Sequence, residues 1–336
     1  MKKEVVMILV FFVCMAFMSV SVSAAPIVIK IAHGTPKTFS LHPAVEAFKK
    51  EVEQKTGGKV DIQIFSDASL GAGDAMLSGT RMGSIQMFCL PNTEVQRVVP
   101  EMKITTLPFI WQSYDTIGRA LDSEAGRRLG ELAEKQGLKL IAWGYGGYFG
   151  IQNKKREVKN PADLKGLKIR VMGDPILIDS MNAIGAMAVV MNGPEVYSAM
   201  EQGVIDGAST AAQLLYSYKY YEIPAKYYTH LKIHSAPVML MINLNFWKGL
   251  SPDIQKAMTE ASKTFTKVFL EYYTSSSQPN SDQNILKMFR EKGVTVTEPD
   301  TEPFRKLVIP VVRKYREEIG SKIVDGILEV AGFKLE

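Results

Sequence analysis

The sequence predicts an α/β protein of two lobes with a cleft between them, and three observations carry that prediction. The first third alternates strand and helix patterns, a second alternating block starts near Gly150, and the last third returns with one strand and a long amphipathic segment. Alternating βα units place mainly parallel strands in a sheet with helices on its faces. Two such blocks followed by returning segments make two lobes, and clefts between lobes are common ligand sites.

The chain of 336 residues opens with Lys2 and Lys3, an apolar run from Val5 to Met18 and the small residues "SVSAA". A short apolar core followed by a small-residue cleavage site reads as a secretory signal peptide over 1–24, not as a membrane span. Cys14 lies inside the apolar core behind "FFV", which disfavours a lipoprotein. Of the 2 cysteines, Cys14 leaves with the signal and Cys89 has no intramolecular partner. An exported chain of this size needs no disulfide framework. No second apolar run is long enough to cross a bilayer, so direct membrane insertion ends with signal cleavage.

In the first block, "IVIKIAH" (27–33) alternates as a strand, His42 to Lys55 is an amphipathic helix, and "KVDIQIF" (59–65) follows Gly57-Gly58. "GAGDAMLSGTRMG" reads as a helix and "SIQMFCL" as a strand. A helix from about Ser113 to Gln136 and the strand "LKLIAWG" (138–144) complete it. In the second, the strand "KIRVMG" leads to a helix ending at Ile184, then "MAVVMN", a helix opened by Gly193-Pro194, and the strand "VIDGAST". "HSAPVMLMINLNFW" reads as a strand crossing back. Ser251-Pro252-Asp253 then starts a helix whose apolar residues, from Ile254 to Tyr272, recur at helical spacing. In "YYTSSSQPNSDQN", Pro279 lacks a backbone donor and the serines compete for local hydrogen bonds, so a break is expected between about Tyr273 and Asp282. The lobes are assigned as 25–147 plus 236–275 and 148–235 plus 276–329, with 330–336 as a tail.

The net charge of +5 falls by one when Lys2, Lys3 and Glu4 are removed, and the basic residues are dispersed. Nucleic-acid binding needs a concentrated stripe, so that partner is excluded, and "KKR" at 154–156 reads as a solvated loop. A nucleophile elbow, a phosphate-cradling glycine loop and zinc spacings are missing. His230 and His234 lie four apart in "THLKIH", an extended run that puts them on one strand face some distance apart. They read as ordinary side chains, and no metal or cofactor is expected.

Arg170 stands out. It lies opposite Ile169 and Val171 near the carboxyl end of its strand, just before the turn Gly173-Asp174-Pro175. Ligands of open α/β sheets bind at that end. A guanidinium there offers a carboxylate a planar fork that lysine cannot reproduce, and the helix start near Gly193 adds backbone donors. The bland alternative is an edge-strand arginine paired with a surface acid.

The run "NPADLKGLKIRVMGDPILIDSMNAIGAMAVVMNGPEVYSAMEQGVIDGAST" resembles the signature region of solute-binding proteins of tripartite ATP-independent periplasmic (TRAP) transporters, the DctP-like family. "GGKVDIQIFSDASLG" and "INLNFWKGLSPDIQKAM" extend the likeness over nearly all the mature chain. The resemblance implies a two-lobed periplasmic-binding-protein-like fold with crossing strands and a long helix spanning both lobes. It also implies a periplasmic location, capture of a small organic acid, and delivery to TRAP permease membrane subunits. The arginine of the family's "KIRV"-type strand, which matches Arg170, binds the ligand carboxylate.

The sequence departs from the family's pattern in three places. A second arginine carried by many members in a "GxRxxT-N" segment corresponds here to Phe149. An aromatic residue ahead of "VY" corresponds to Gly193 or its neighbour, and an asparagine or acid after "DG" is replaced by Ser209-Thr210. What stands nearby is aromatic: Trp143, Tyr145, Tyr148 and Phe149, which read either as hinge packing or as a partly apolar pocket wall. The expected site therefore joins Arg170, Tyr148, Phe149, Asn192, Gly193, Ser209 and Thr210 with first-lobe residues His33, Gly34, Pro91 and Asn92. The ligand expected is a carboxylate, including a monocarboxylate with an apolar or aromatic body. Two rivals are a ligand-sensing receptor for a membrane kinase and a secreted enzyme, for which Asp174 beside Arg170 is too little.

Overall fold

The computed structural model describes residues 25–336 apart from 218, 219, 224 and 236. The signal peptide expected over 1–24 lies outside the described residues. The first block runs β1 (Ile27–His33), α1 (Leu41–Lys55), β2 (Val60–Phe65), α2 (Gly73–Met82), β3 (Met87–Pro91), α3 (Asn92–Val95), α4 (Tyr114–Asp122), α5 (Glu124–Glu134) and β4 (Leu138–Gly144). The second runs β5 (Phe149–Asn153), β6 (Lys168–Val171), α6 (Pro175–Ala183), β7 (Met187–Val190), α7 (Val196–Glu201), β8 (Gly207–Ala211), α8 (Ala212–Ser217) and β9 (Tyr227–Thr229). The return consists of β10 (Val238–Asn243), α9 (Leu244–Gly249), α10 (Pro252–Thr274), α11 (Asp282–Glu291), β11 (Thr295–Thr297), α12 (Glu302–Ile319) and α13 (Ser321–Ala331).

The strands form two sheets, in the orders β2-β1-β3-β10-β4 and β11-β9-β5-β8-β6-β7. The fold is thus the two-lobed α/β architecture. β1 is parallel to β2 and β3, while β10 crosses back to lie antiparallel between β3 and β4. Alternation sorts the side chains: Ile29 and Ile31 of β1 join Phe48 of α1 and Phe265 of α10 on one face of the first sheet. Ala32 and its neighbour Phe88 face the other way, into a core that continues to Ile151 and Ile169 of the second sheet. The last two helices bridge the lobes, since α12 packs on α6 and α13 packs on α4 and α5. The tail is pinned to α12, with Phe333 buried under the Arg305 guanidinium and Lys334 O accepting from Arg305 Nη2.

Three segments differ from their expected form. The single helix from Ser113 to Gln136 is two helices, because Ser123 is extended and its hydroxyl accepts from Gly126 N. A β-carbon at Gly126 would lie 2.1 Å from Leu121 O, so the tight reversal requires glycine. "THLKIH" is not a strand over its length: β9 ends at Thr229 and Lys232 takes a left-handed φ of 54°, so His230 and His234 do not share a strand face. The crossing strand is shorter than its apolar run, because the Asn243 side chain accepts from Phe246 N and starts α9.

Helix α10 lies along α1 and β4 and carries Tyr273 to the connection between the sheets. It stops at Thr274, and α11 begins only at Asp282. In between, Ser275 is extended and its hydroxyl accepts from Ser277 N, the serine competition that ends the helix.

Candidate functional site

The parallel strands β1 and β3 point their carboxyl ends at the second lobe, and small or apolar residues stand there: Gly34 just after His33 of β1, and Leu90 and Pro91 on β3. From the second lobe come Met172, just past β6, Phe149 at the start of β5, and Ala211 at the end of β8. Together they line a cavity of about 410 Å³. Its floor is Phe269 and Tyr273 of α10, with the connection Gly146-Gly147. The cavity sits where strand ends of both sheets meet, the usual place for a ligand in an open α/β protein.

The wall is mostly apolar. Its polar groups are Thr35, Thr93, Glu94, Gln213 and the Tyr273 hydroxyl. Three of these are engaged: Gln213 Nε2 donates to Asn280 O at 2.8 Å, Tyr273 Oη is 3.0 Å from Ser40 Oγ, and Thr35 Oγ1 is 3.2 Å from His33 Nδ1. Glu94 remains as a carboxylate at the wall, 3.4 Å from Arg97 Nη2. Among the described residues, no lysine, arginine or histidine lines the cavity.

Of the residues expected at the site, Gly34, Pro91 and Phe149 line this cavity. Arg170 is 8 % exposed, and its Nε donates to Met191 O at 2.8 Å. It is not in the wall, but Met172, two residues on, is. The remaining expected residues lie outside this wall. His33 is buried, with Nε2 3.0 Å from His42 Nδ1 and Nδ1 3.2 Å from Thr35 Oγ1. Burial lowers its pKa to about 4, so it is neutral. Asn92 is fully buried, and Asn192 Nδ2 donates to Glu195 Oε1 at 3.0 Å on the surface. Gly193 opens a short turn of 3-10 helix ahead of α7. Thr210 pairs with Gly150 inside the second sheet, while Ser209 faces a void of about 10 Å³ beside His234.

The four aromatic residues do not act as one cluster. Tyr148 stacks on Tyr114 with ring centroids 4.8 Å apart. Tyr145 lies over α4, where a β-carbon at Gly118 would approach its hydroxyl to 2.6 Å. Trp143 is core, and Thr266 Oγ1 donates to its carbonyl. Phe149 alone of the four faces the cavity, with His234 behind it at 4.2 Å. Burial drives the His234 pKa down to about 3. Glu94 and Met172, which do line the cavity, carry no signal in the sequence pattern, since one lies in a short polar turn and the other one residue past a strand.

A second hollow of about 470 Å³ lies among Phe109, His230, Lys232, Glu298 and Arg305. Its charged side chains are largely paired, Arg305 with Glu302 and Glu298 with Arg290, and it does not draw on strand ends from both sheets. Among the described residues, no group of three or more His, Cys, Asp or Glu side chains could hold a metal ion. No described helix is long and apolar enough to cross a membrane.

A two-lobed α/β protein with a cavity between its sheets has the architecture of a solute receptor. The chain belongs to bacterial extracellular solute-binding protein family 7, the DctP family, which matches residues 31–318. It is similar to the 2,3-diketo-L-gulonate-binding periplasmic protein of Escherichia coli (strain K12), at 30% identity over 291 residues, 86% of each chain. A TRAP periplasmic solute-binding protein from Ochrobactrum anthropi superposes with a TM-score of 0.86 at 26% identity, over 91% of this chain and 95% of that one. Another, from Ralstonia eutropha H16 with bound (S)-2-acetolactate, superposes with a TM-score of 0.80 at 26% identity, over 91% and 98% of the two chains. These are TRAP solute-binding proteins, and this chain is of that class.

Proposed function

We propose that the protein captures a small monocarboxylate with a partly apolar body in the cavity between its lobes and delivers it to a TRAP-type membrane permease from the periplasm. The observation that carries this reading is the wall itself: apolar on most sides, with Phe149 and, among the described residues, no basic group lining it. A second buried carboxylate would have no cation to meet it, and an uncompensated buried charge is costly. Arg170 supplies the one anchor. It stands two residues before Met172, which lines the cavity, and in this reading its guanidinium turns to the ligand carboxylate. The relative with bound 2-acetolactate, a small branched monocarboxylate, supports the same reading. So does the relative that binds a sugar acid with one carboxylate. Two relatives at 25% identity bind C4 dicarboxylates and mark the alternative ligand class. No catalytic step is assigned to the protein, and a bound acid should be recovered unchanged.

Mass spectrometry of the small molecules released on denaturing the gently purified protein tests this reading. An organic acid with one carboxylate is the expected finding. A thermal-shift panel in which C4 diacids stabilise more strongly than every monocarboxylate would overturn it.

A further inference from the structure

Glu94 sits oddly in a cavity built for an acid. Its carboxylate lies in the wall, on α3 of the first lobe, whereas the opposite wall holds Met172, two residues after Arg170 of β6. Its place is prepared by Gly73, the first residue of α2: a β-carbon there would come within 2.7 Å of Glu94 Cδ and 2.8 Å of Oε2. Any other residue at 73 would push the carboxylate out of its seat. The seat is also next to a helix start, where negative charge is favoured. Around it stand Arg97, with Nη2 3.4 Å from Glu94 Oε2, and Asp74, which takes Arg97 Nη1. One guanidinium thus serves two carboxylates, so the corner keeps a net negative charge facing an apolar cavity.

We propose that Glu94 is a specificity-determining residue that accepts a hydrogen bond from a hydroxyl or ammonium group on the bound acid and excludes ligands with a second carboxylate. The proposal rests on the monocarboxylate reading and adds the chemistry of the ligand's other end. A hydroxyl or ammonium donor reaching Glu94 makes a charge-assisted hydrogen bond in an apolar setting, where it is stronger than in water. A carboxylate reaching the same corner meets a like charge, which costs affinity through repulsion. With the carboxylate end at Arg170, such a ligand touches both lobes, and contacts to both are what favour a closed form.

The test uses two matched sets of acids that differ only at the end away from the carboxylate. One set is butanoate, 4-hydroxybutanoate, 4-aminobutanoate and succinate; the other is hexanoate, 6-hydroxyhexanoate, 6-aminohexanoate and adipate. Calorimetric titration should rank the donor-ended acids first and the diacid last in the set that fits. Glu94→Gln should weaken the ammonium-ended acid by about tenfold and the hydroxyl-ended acid by about threefold, strengthen the diacid by about tenfold, and leave the methyl-ended acid within about twofold. Gly73→Ala, which displaces the carboxylate without changing Glu94, should shift the ranking in the same direction. An unchanged ranking in both variants overturns the role of Glu94 while leaving the monocarboxylate reading standing. Failure of every acid in both sets to bind the unaltered protein overturns both.

Discussion

Tyr114 Oη donates to Asp282 Oδ2 at 2.6 Å and accepts from Gly147 N at 3.1 Å. One phenol therefore ties helix α4 of the first lobe, the connection between the lobes, and the first residue of α11 in the second. Burial raises the Asp282 pKa to about 6, against the opposing pull of the Tyr114 bond and of Lys232. Tyr114→Phe removes the donor and leaves a buried carboxylate short of a partner. The expected loss is about 2–3 kcal/mol of stability at pH 8, where Asp282 is ionised, and about 1 kcal/mol at pH 5, where it is largely protonated. Denaturant unfolding of both proteins at the two pH values checks this, and an equal loss at each would rule out the charged bond.

Acid stability follows from the same pKa shifts with opposite signs. His33 and His230 titrate near pH 4 and His234 near pH 3 in the folded protein, all lowered chiefly by burial. The unfolded chain protonates them near pH 6.5, so it binds more protons than the folded state below that value, and stability falls as pH drops from about 6.5 towards 4. Asp282 works the other way. Its folded pKa of about 6 lies above the unfolded value, so the folded state takes up its proton first and gains stability as pH falls from 6 to 4. Three histidines outweigh one aspartate, so the net slope is a loss in acid. Asp282→Asn should steepen that loss by up to about 1.4 kcal/mol per pH unit between pH 4 and 6. A shallower slope in the variant would contradict the assignment.

Gly146 is a packing requirement. A β-carbon there would lie 2.2 Å from Tyr273 Cδ2, and Tyr273 is itself buried and bonded to Ser40. Gly146→Ala should destabilise by about 2–3 kcal/mol, because the ring has nowhere to move. Gly130 makes the contrast: it lies in α5, its nearest side-chain neighbour to an added β-carbon is 3.7 Å away, and Gly130→Ala should stabilise by about 0.5–1 kcal/mol. Melting curves of the two variants that shift the same way would contradict this account.

The strands were legible because alternation of side chains is a local property: Ile29, Ile31 and Ala32 take the faces their spacing dictates. The helix break before Asp282 was legible for the same reason, since Pro279 and its serines act on their own backbone. The split at Ser123 was not, because the periodicity of the two helices runs through it and only the close approach of Gly126 to Leu121 O reveals the turn. The site was legible in part. Alternation puts Arg170 opposite Ile169, yet nothing local says that Met191 O takes its Nε or that Met172 meets the cavity. Glu94 was illegible, since its seat depends on a missing β-carbon at Gly73, a fact of the folded chain alone.

The last prediction concerns motion. The cavity is walled by Gly34, Pro91 and Glu94 on one side and by Phe149, Met172 and Ala211 on the other, so a ligand that spans it joins the two lobes. The connections able to bend are the Gly146-Gly147 segment, where Gly147 has a φ of 70°, and residues 275–281, where no helix joins α10 to α11. A ligand shifts the equilibrium toward a closed form only by binding that form more tightly, and in the proposed site Arg170 is the second-lobe contact to the carboxylate. Losing a buried charge-assisted partner costs about 2–5 kcal/mol, so Arg170→Ala should weaken binding at least about tenfold without unfolding the protein. Small-angle scattering should give a smaller radius of gyration when a bound monocarboxylate is added to the unaltered protein. At the same ligand concentration Arg170→Ala should keep the larger radius, and raising the concentration past its weaker dissociation constant should recover only part of the compaction. Equal radii with and without saturating ligand in the unaltered protein would refute closure. Full compaction of the variant at the original concentration would remove Arg170 from the site.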